Sequence, residues 1–191
     1  GSLRQRLENE RRLAHTDALT GVHNRRAFWN AAARELERCR RQREPFSIAY
    51  LDLDGFKAVN DAHGHLAGDH LLQEVAVTLQ QDLRQLDMVA RLGGDEFVLL
   101  LPGADAVGAA AAMARLRERL QRASWRDRHA IDCSIGCLTV VEPPSDVSAI
   151  VARADQMMYA MKRAGRGRTL HEVVEGELPH GPSGSRRSRH G

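Results

Sequence analysis

The sequence predicts an α/β (α+β) domain, a mixed central sheet of about five strands covered by helices. Three observations carry that prediction. Stretches of helix length with apolar residues on a 3.6-residue period alternate with short apolar runs. Two of those runs flank Gly93-Gly94, the mark of a tight hairpin. Acids gather where the apolar runs stop, at the strand ends where open α/β sheets bind ligands.

Residues 3–15 are charged and free of Gly and Pro, with Leu3, Leu7 and Ala14 near heptad spacing, and read as a helix, the end of a coiled coil or an exposed frayed segment. Residues 16–21 break it, and Asn24 can cap a second helix over residues 25–42, with Phe28, Ala31, Ala32 and Leu36 on one face. Residues 46–51 are nearly all apolar, as a central buried strand requires, and lead into Asp52-Leu53-Asp54-Gly55. Residues 68–86 carry Leu72, Val75, Ala76, Leu79 and Leu83 at helical spacing. Residues 88–92 and 97–101 are the hairpin strands around Gly93-Gly94-Asp95-Glu96. An alanine-rich helix is predicted over residues 104–123, with Met113, Leu116 and Leu120 on one stripe, and a strand over residues 131–141. The last helix spans residues 148–164, its methionines read as core, and residues 168–174 add an edge strand.

At 191 residues the chain suits one domain. Its boundaries read as a linker or signalling helix over residues 1–15, the main folded domain over residues 16–175 and a disordered basic tail over residues 176–191; Gly1-Ser2 resemble the scar of a cleaved tag. No apolar run is long enough to span a bilayer, and there is no signal-peptide pattern. The cytoplasm is the expected location, with attachment of a longer parent protein to a membrane left open. The basic pI of about 9.1 does not indicate a nucleic-acid surface. Arg186, Arg187 and Arg189 in the tail account for the whole net charge of +3, and aromatic stacking platforms are scarce. Cys39, Cys133 and Cys137 have no metal-site spacing and read as reduced thiols.

Asp52 and Asp54 close an apolar strand, and Asp95 and Glu96 sit at the hairpin tip. Clustered carboxylates repel and are costly to desolvate unless a cation neutralises them. Oxygen ligands with no adjacent Cys or paired His favour Mg²⁺ or Mn²⁺. Spacing alone leaves open that these acids are turn residues.

Arg91-Leu92-Gly93-Gly94-Asp95-Glu96-Phe97 resembles the signature of the GGDEF-domain diguanylate cyclase family. Three further blocks are similar to that family, in order and with suitable gaps. They are Asp17-Ala18-Leu19-Thr20-Gly21 with Asn24-Arg25-Arg26; Asp52 to Lys57 with Asn60-Asp61, Gly64-His65 and Gly68-Asp69; and Ser134-Ile135-Gly136 with Ala154-Asp155, Tyr159, Lys162 and Gly165-Arg166. The likeness covers about residues 17–168. It implies a nucleotide-cyclase, palm-like fold with the GGDEF hairpin at the active site. It also implies a homodimer that joins two GTP into cyclic di-GMP and two pyrophosphates, with two Mg²⁺ or Mn²⁺ per site. Asp52, the Leu53 carbonyl and Asp95 match metal ligands. Asp95 also matches the base, with Glu96 as the alternative, and Lys57 matches a group that stabilises the transition state. Lys162 and Arg166 match phosphate contacts, Asn60 and Asp69 the guanine-reading pair, and Gly93 and Gly94 the phosphate approach; His65 is a substrate contact or a structural histidine.

Arg84-Gln85-Leu86-Asp87 resembles the family's RxxD inhibitory site for cyclic di-GMP, with Arg115 placed beside it by spacing. Met161 stands where the family usually has Ala, and Gly167 where Asn is usual. Two other readings stay open: a catalytically silent cyclic di-GMP receptor, and a dimerising signalling module.

Overall fold

The computed structural model describes residues 14–81 and 83–178. Most of the predicted first helix, residues 3–13, and most of the basic tail, residues 179–191, lie outside the described residues.

A six-stranded mixed sheet forms the centre, in the order β1-β3-β4-β2-β5-β6. Its strands are β1 (His23–Asn24), β2 (Phe46–Asp54), β3 (Met88–Gly93), β4 (Glu96–Pro102), β5 (Asp132–Glu142) and β6 (Thr169–Glu175). The sixth strand, beyond the five predicted, is β1, whose two residues pair parallel with β3. A strand that short leaves no alternating pattern to read. β2 lies between β4 and β5 and runs antiparallel to both, whereas β5 and β6 are parallel.

Helix α1 (Arg25–Gln42) coincides with its predicted span. Asn24 caps it, its side-chain oxygen accepting from the Ala27 N–H at 2.9 Å. Two short helices were not predicted, α2 (Phe56–His63) and α5 (Ser124–His129). Neither reaches two and a half turns, too few for a 3.6-residue period to register. Helix α3 (His65–Gln80) ends six residues before its predicted limit. Leu83 packs on the core all the same, from the loop after the helix, and so mimics a continued stripe. Helices α4 (Ala106–Arg122) and α6 (Val147–Arg163) begin one or two residues from their predicted starts, behind the capping carboxylates of Asp105 and Asp146.

The sheet buries both faces. Phe46, Ile48 and Tyr50 of β2 pack under α1 and α6 with Phe28, Leu36, Ile150 and Met158. Ala49, Leu51 and Leu53 face the other way, under α3 and α4 with Leu72, Leu79, Met113 and Leu120. The three cysteines are free and buried. Among the described residues no helix is long and apolar enough to cross a membrane.

Candidate active site

Strand alternation places Asp52 and Asp54 on the face of β2 that also carries Phe46, Ile48 and Tyr50. Asp52 therefore stands beyond the apolar part of that face, at the sheet rim. Its Cα partner on β4 is Glu96 and on β5 is Ser134. Asp95 occupies the hairpin turn just before β4, and its carbonyl accepts from the Leu53 N–H at 3.3 Å. That bond continues the β2–β4 ladder into the turn and brings both aspartates to one corner. Gly93 and Gly94, with φ of 149° and 50°, form the exposed tip in a backbone conformation that side chains disfavour.

The corner holds more negative charge than positive. Lys162, in the last turn of α6, forms an ion pair with Asp52, and its Nζ is 4.0 Å from Asp54 Oδ1. Burial pushes the Asp52 carboxyl up to about 7, the neighbouring Asp95 charge adds to this, and Lys162 opposes it. Asp95 is pushed up as well, chiefly by burial. Glu96 rises through burial and the nearby charges of Asp155 and Asp95, while its hydrogen bond with the Tyr50 hydroxyl holds it back. Asp54 is only 3% exposed. Its Oδ2 accepts from Ser134 Oγ at 2.7 Å and from the Gly167 N–H at 3.0 Å. Its buried Oδ1 has no hydrogen-bond partner.

This excess of desolvated carboxylate oxygen suits a hard divalent cation. Among the described residues no three acid, imidazole or thiol side chains form a closed cage. A set of two carboxylates and one carbonyl matches the partial protein shell that Mg²⁺ accepts, the remainder coming from water and substrate phosphate.

The other predicted residues lie on α2, on α3 and in the turn after α6. Lys57 is exposed in the first turn of α2, and Asn60 is half-buried further along it. The Asn60 Oδ1 is buried without a hydrogen-bond partner, as an acceptor or donor set waiting for a ligand would be. Gly68 faces it so closely that a Cβ there would lie 1.9 Å from Asn60 Oδ1. Asp69 is half-buried on α3, and His65 is exposed at its first position. Arg166 is exposed in the turn after α6, with a left-handed φ of 56°. It lines a cavity of about 480 Å³ with Asp54, Arg126 and Asp132.

A second cluster lies under the α3–β3 turn. Asp87 Oδ2 accepts from the Arg84 N–H at 2.8 Å, and Arg84, Asp87, Arg115 and Arg119 line one small cavity. The structure thus brings the three predicted inhibitory-site residues together and adds Arg119, one helical turn beyond Arg115.

Sequence reasoning named Asp17 as part of a motif without a task. Its Oδ1 accepts from Thr20 N and Oγ1, and both carboxylate oxygens accept from Arg91 Nη1 at 3.2 Å. Arg91 Nε donates to the Gly94 carbonyl at 2.9 Å, so Arg91 links this loop to the hairpin tip. Tyr50 and Ser134 were not singled out as site residues. The signal for Tyr50 was its place two residues before Asp52 in an alternating strand; for Ser134 it lay only in the β2–β5 register.

Residues 14–168 match the family model described as diguanylate cyclase, GGDEF domain. The chain is 41% identical over 165 residues to the diguanylate cyclase DgcP of Pseudomonas aeruginosa, a match covering 85% of this chain and 24% of that protein. It is 36% identical over 167 residues to the cyclic di-GMP phosphodiesterase PdeR of Escherichia coli, covering 86% of this chain and 25% of that one. The chain thus spans about a quarter of the length of these curated relatives. It is also similar to the crystal structure of the coiled coil and GGDEF domain of DgcB from Caulobacter crescentus in complex with c-di-GMP. The TM-score is 0.81 at 32% identity, with 89% of this chain and 92% of that chain covered.

Proposed function

The chain belongs to the GGDEF-domain diguanylate cyclase family, and from that premise we propose that it condenses two GTP into cyclic di-GMP and two pyrophosphates as a homodimer. The observation that carries this reading is the meeting of Asp52 and Asp95 at the sheet rim beside Lys162. Each copy holds one GTP. The 3′-oxygen of each attacks the α-phosphorus of the other, its bond to the β-phosphate oxygen breaks, and pyrophosphate leaves.

Mg²⁺ or Mn²⁺ held by Asp52, Asp95 and the Leu53 carbonyl, two ions per site, would supply charge neutralisation at the attacking and leaving oxygens. Asp95 takes the proton of the 3′-hydroxyl; Glu96, pushed up by burial and next in sequence, is the alternative acceptor. Lys57, Lys162 and Arg166 face the phosphates, where cations offset developing charge. Lys162 already pairs with Asp52, so it can exchange a carboxylate for a phosphate with little reorganisation. Asn60 and Asp69 read guanine, which presents N1–H and N2–H₂ donors to a carboxylate, and His65 is a substrate contact or a structural histidine. Gly93 and Gly94 let the hairpin backbone approach the phosphates without a Cβ in the way. Cyclic di-GMP binding at Arg84, Asp87 and Arg115 restrains the enzyme. The catalytic unit in this reading is residues 16–175.

Incubation of the purified protein with GTP and Mg²⁺, followed by chromatography of the nucleotides, tests the proposal. Cyclic di-GMP should accumulate, and Asp95→Ala should lower turnover on the order of 10²-fold or more. No product at high protein concentration would favour the silent receptor of cyclic di-GMP instead.

A further inference from the structure

Gly167 has a neighbour that explains it. A Cβ at this position would lie 2.3 Å from Asp132 Oδ2 and 2.6 Å from its Cγ. Gly167 has φ of 61°, but left-handed backbone alone does not demand glycine, because Asn tolerates it. The exclusion comes from the Asp132 carboxylate.

That carboxylate is held fast. Its Oδ1 accepts from Arg117 Nη1 at 3.1 Å and from the Cys133 N–H at 2.8 Å, and its Oδ2 accepts from Arg126 Nη2 at 3.1 Å. Charge-assisted bonds to two guanidiniums are among the stronger polar contacts available. Rotating Asp132 away to admit a side chain at 167 would break them. Arg117 also donates through Nη2 to Thr169 Oγ1 at 2.9 Å. Asp132, Arg117, Thr169 and Gly167 therefore close a ring around the turn that joins α6 to β6. From inside, the Gly167 N–H donates to Asp54 Oδ2 at 3.0 Å, and Asp54 and Asp132 are Cα partners across β2 and β5.

Arg166 sits at the centre of this turn with φ of 56°, an unfavourable backbone for a residue with a Cβ. Such conformations persist where the surroundings over-determine them. Here the Arg166 N–H donates to the Met161 carbonyl at 3.2 Å, and the chain just after it is fastened through the Gly167 amide and through Thr169.

We propose that Asp132 and Gly167 form a matched pair that fixes the α6–β6 turn, making Asp132 a positioning residue for Arg166 and hence for the β- and γ-phosphates of the nucleotide. The proposal rests on the reading of Arg166 as a phosphate contact. Asp132 touches no reacting atom.

Calorimetric titration with Mg²⁺ and a GTP analogue carrying a non-cleavable α,β bridge tests it, with GMP as the control lacking the outer phosphates. Asp132→Asn should weaken the analogue about tenfold while GMP affinity stays within about twofold, since only the outer phosphates reach the turn. Arg126→Gln, at a less buried position tolerant of change, should give the same pattern at about threefold. Gly167→Asn should weaken the analogue about tenfold beside Asp132 yet add nothing in an Asp132→Ala background, the non-additivity expected of residues in contact. Amide exchange at Gly167, which needs no nucleotide, should quicken in Asp132→Asn. Equal loss of both nucleotides, equal cost of Gly167→Asn in both backgrounds, or unchanged Gly167 exchange would overturn the pairing. A wild-type chain that binds neither nucleotide overturns it too. Failure to make cyclic di-GMP with these affinities intact would instead count against the cyclase reading alone.

Discussion

Arg91 and Asp17, separated by 74 positions, are joined by contacts of 3.2 Å from one guanidinium nitrogen to both carboxylate oxygens. The same guanidinium holds the Gly94 carbonyl, so the entry loop and the hairpin tip move as one piece.

Acid should loosen that link in a defined window. Burial pushes Asp17 up, but bonds from Thr20 and the charge of Arg91 outweigh it, leaving its carboxyl below the ordinary 3.8. A depressed carboxyl stabilises the fold above its unfolded pKa, and the contribution fades as pH falls through the lower, folded value. Asp17→Asn should therefore cost about 1 kcal/mol at pH 7 and clearly less at about pH 3, below the ordinary carboxylate value. Denaturant melts at both pH values check this; an equal gap at both would deny the ion pair its role.

Asp52 carries the opposite sign. Its folded pKa is raised from 3.8 to about 7, so its contribution is fully present below pH 3.8 and is lost as pH rises through about 7. In metal-free protein, Asp52→Asn should melt roughly 4 °C above wild type at pH 8, a gap that narrows as pH falls toward 4. The variant should have lost its turnover. Thermal melts in chelator, repeated with Mg²⁺, measure it; Mg²⁺ should raise the wild-type midpoint and leave the variant's unmoved.

Gly68→Ala should damage recognition more than stability. The new methyl meets the Asn60 side chain, which can rotate away but then leaves its reading position. KM for GTP should rise on the order of tenfold with kcat changed less than threefold. Steady-state kinetics decide it, and an unchanged KM would remove Asn60 from the guanine pocket.

Arg84→Ala should spare the chemistry and blunt the feedback. Arg84 lies with Asp87, Arg115 and Arg119 around a cavity, on the opposite face of the sheet from Lys162. The cyclic di-GMP concentration for half-inhibition should rise about tenfold or more while the uninhibited rate holds within twofold. Initial rates against added product read it directly, and an unmoved curve would dismiss this pocket as the inhibitory site.

The parts of this structure legible in the sequence were those with many residues voting together. Five of the six strands and the longest helices announce themselves through repeated apolar spacing, and Asn24 marks the start of α1 with a single capping side chain. β1, α2 and α5 are too short for any period, and the end of α3 was obscured because Leu83 reaches the core from the loop that follows it. At the site, the acids were legible because carboxylates at strand ends are conspicuous. What was hidden depended on pairing across chain segments: Tyr50 beside Glu96, Ser134 beside Asp54, and Asp132 against Gly167. Gly167 stood out only as a departure from its family, and its reason lay on a strand 35 residues earlier.

The register of β2 against β4 has a consequence for quality control. With Leu51 opposite Phe97 and Asp52 opposite Glu96, slipping the ladder by one residue would drive Phe97 into the opposite core layer, in space shaped for Val98, while carrying Asp95 away from its partner. Correct burial and a complete acidic corner are therefore one event. A mis-threaded molecule would be unstable before it could be a stable but idle impostor, so a cell's ordinary clearance of unfolded chains also removes the faulty catalysts.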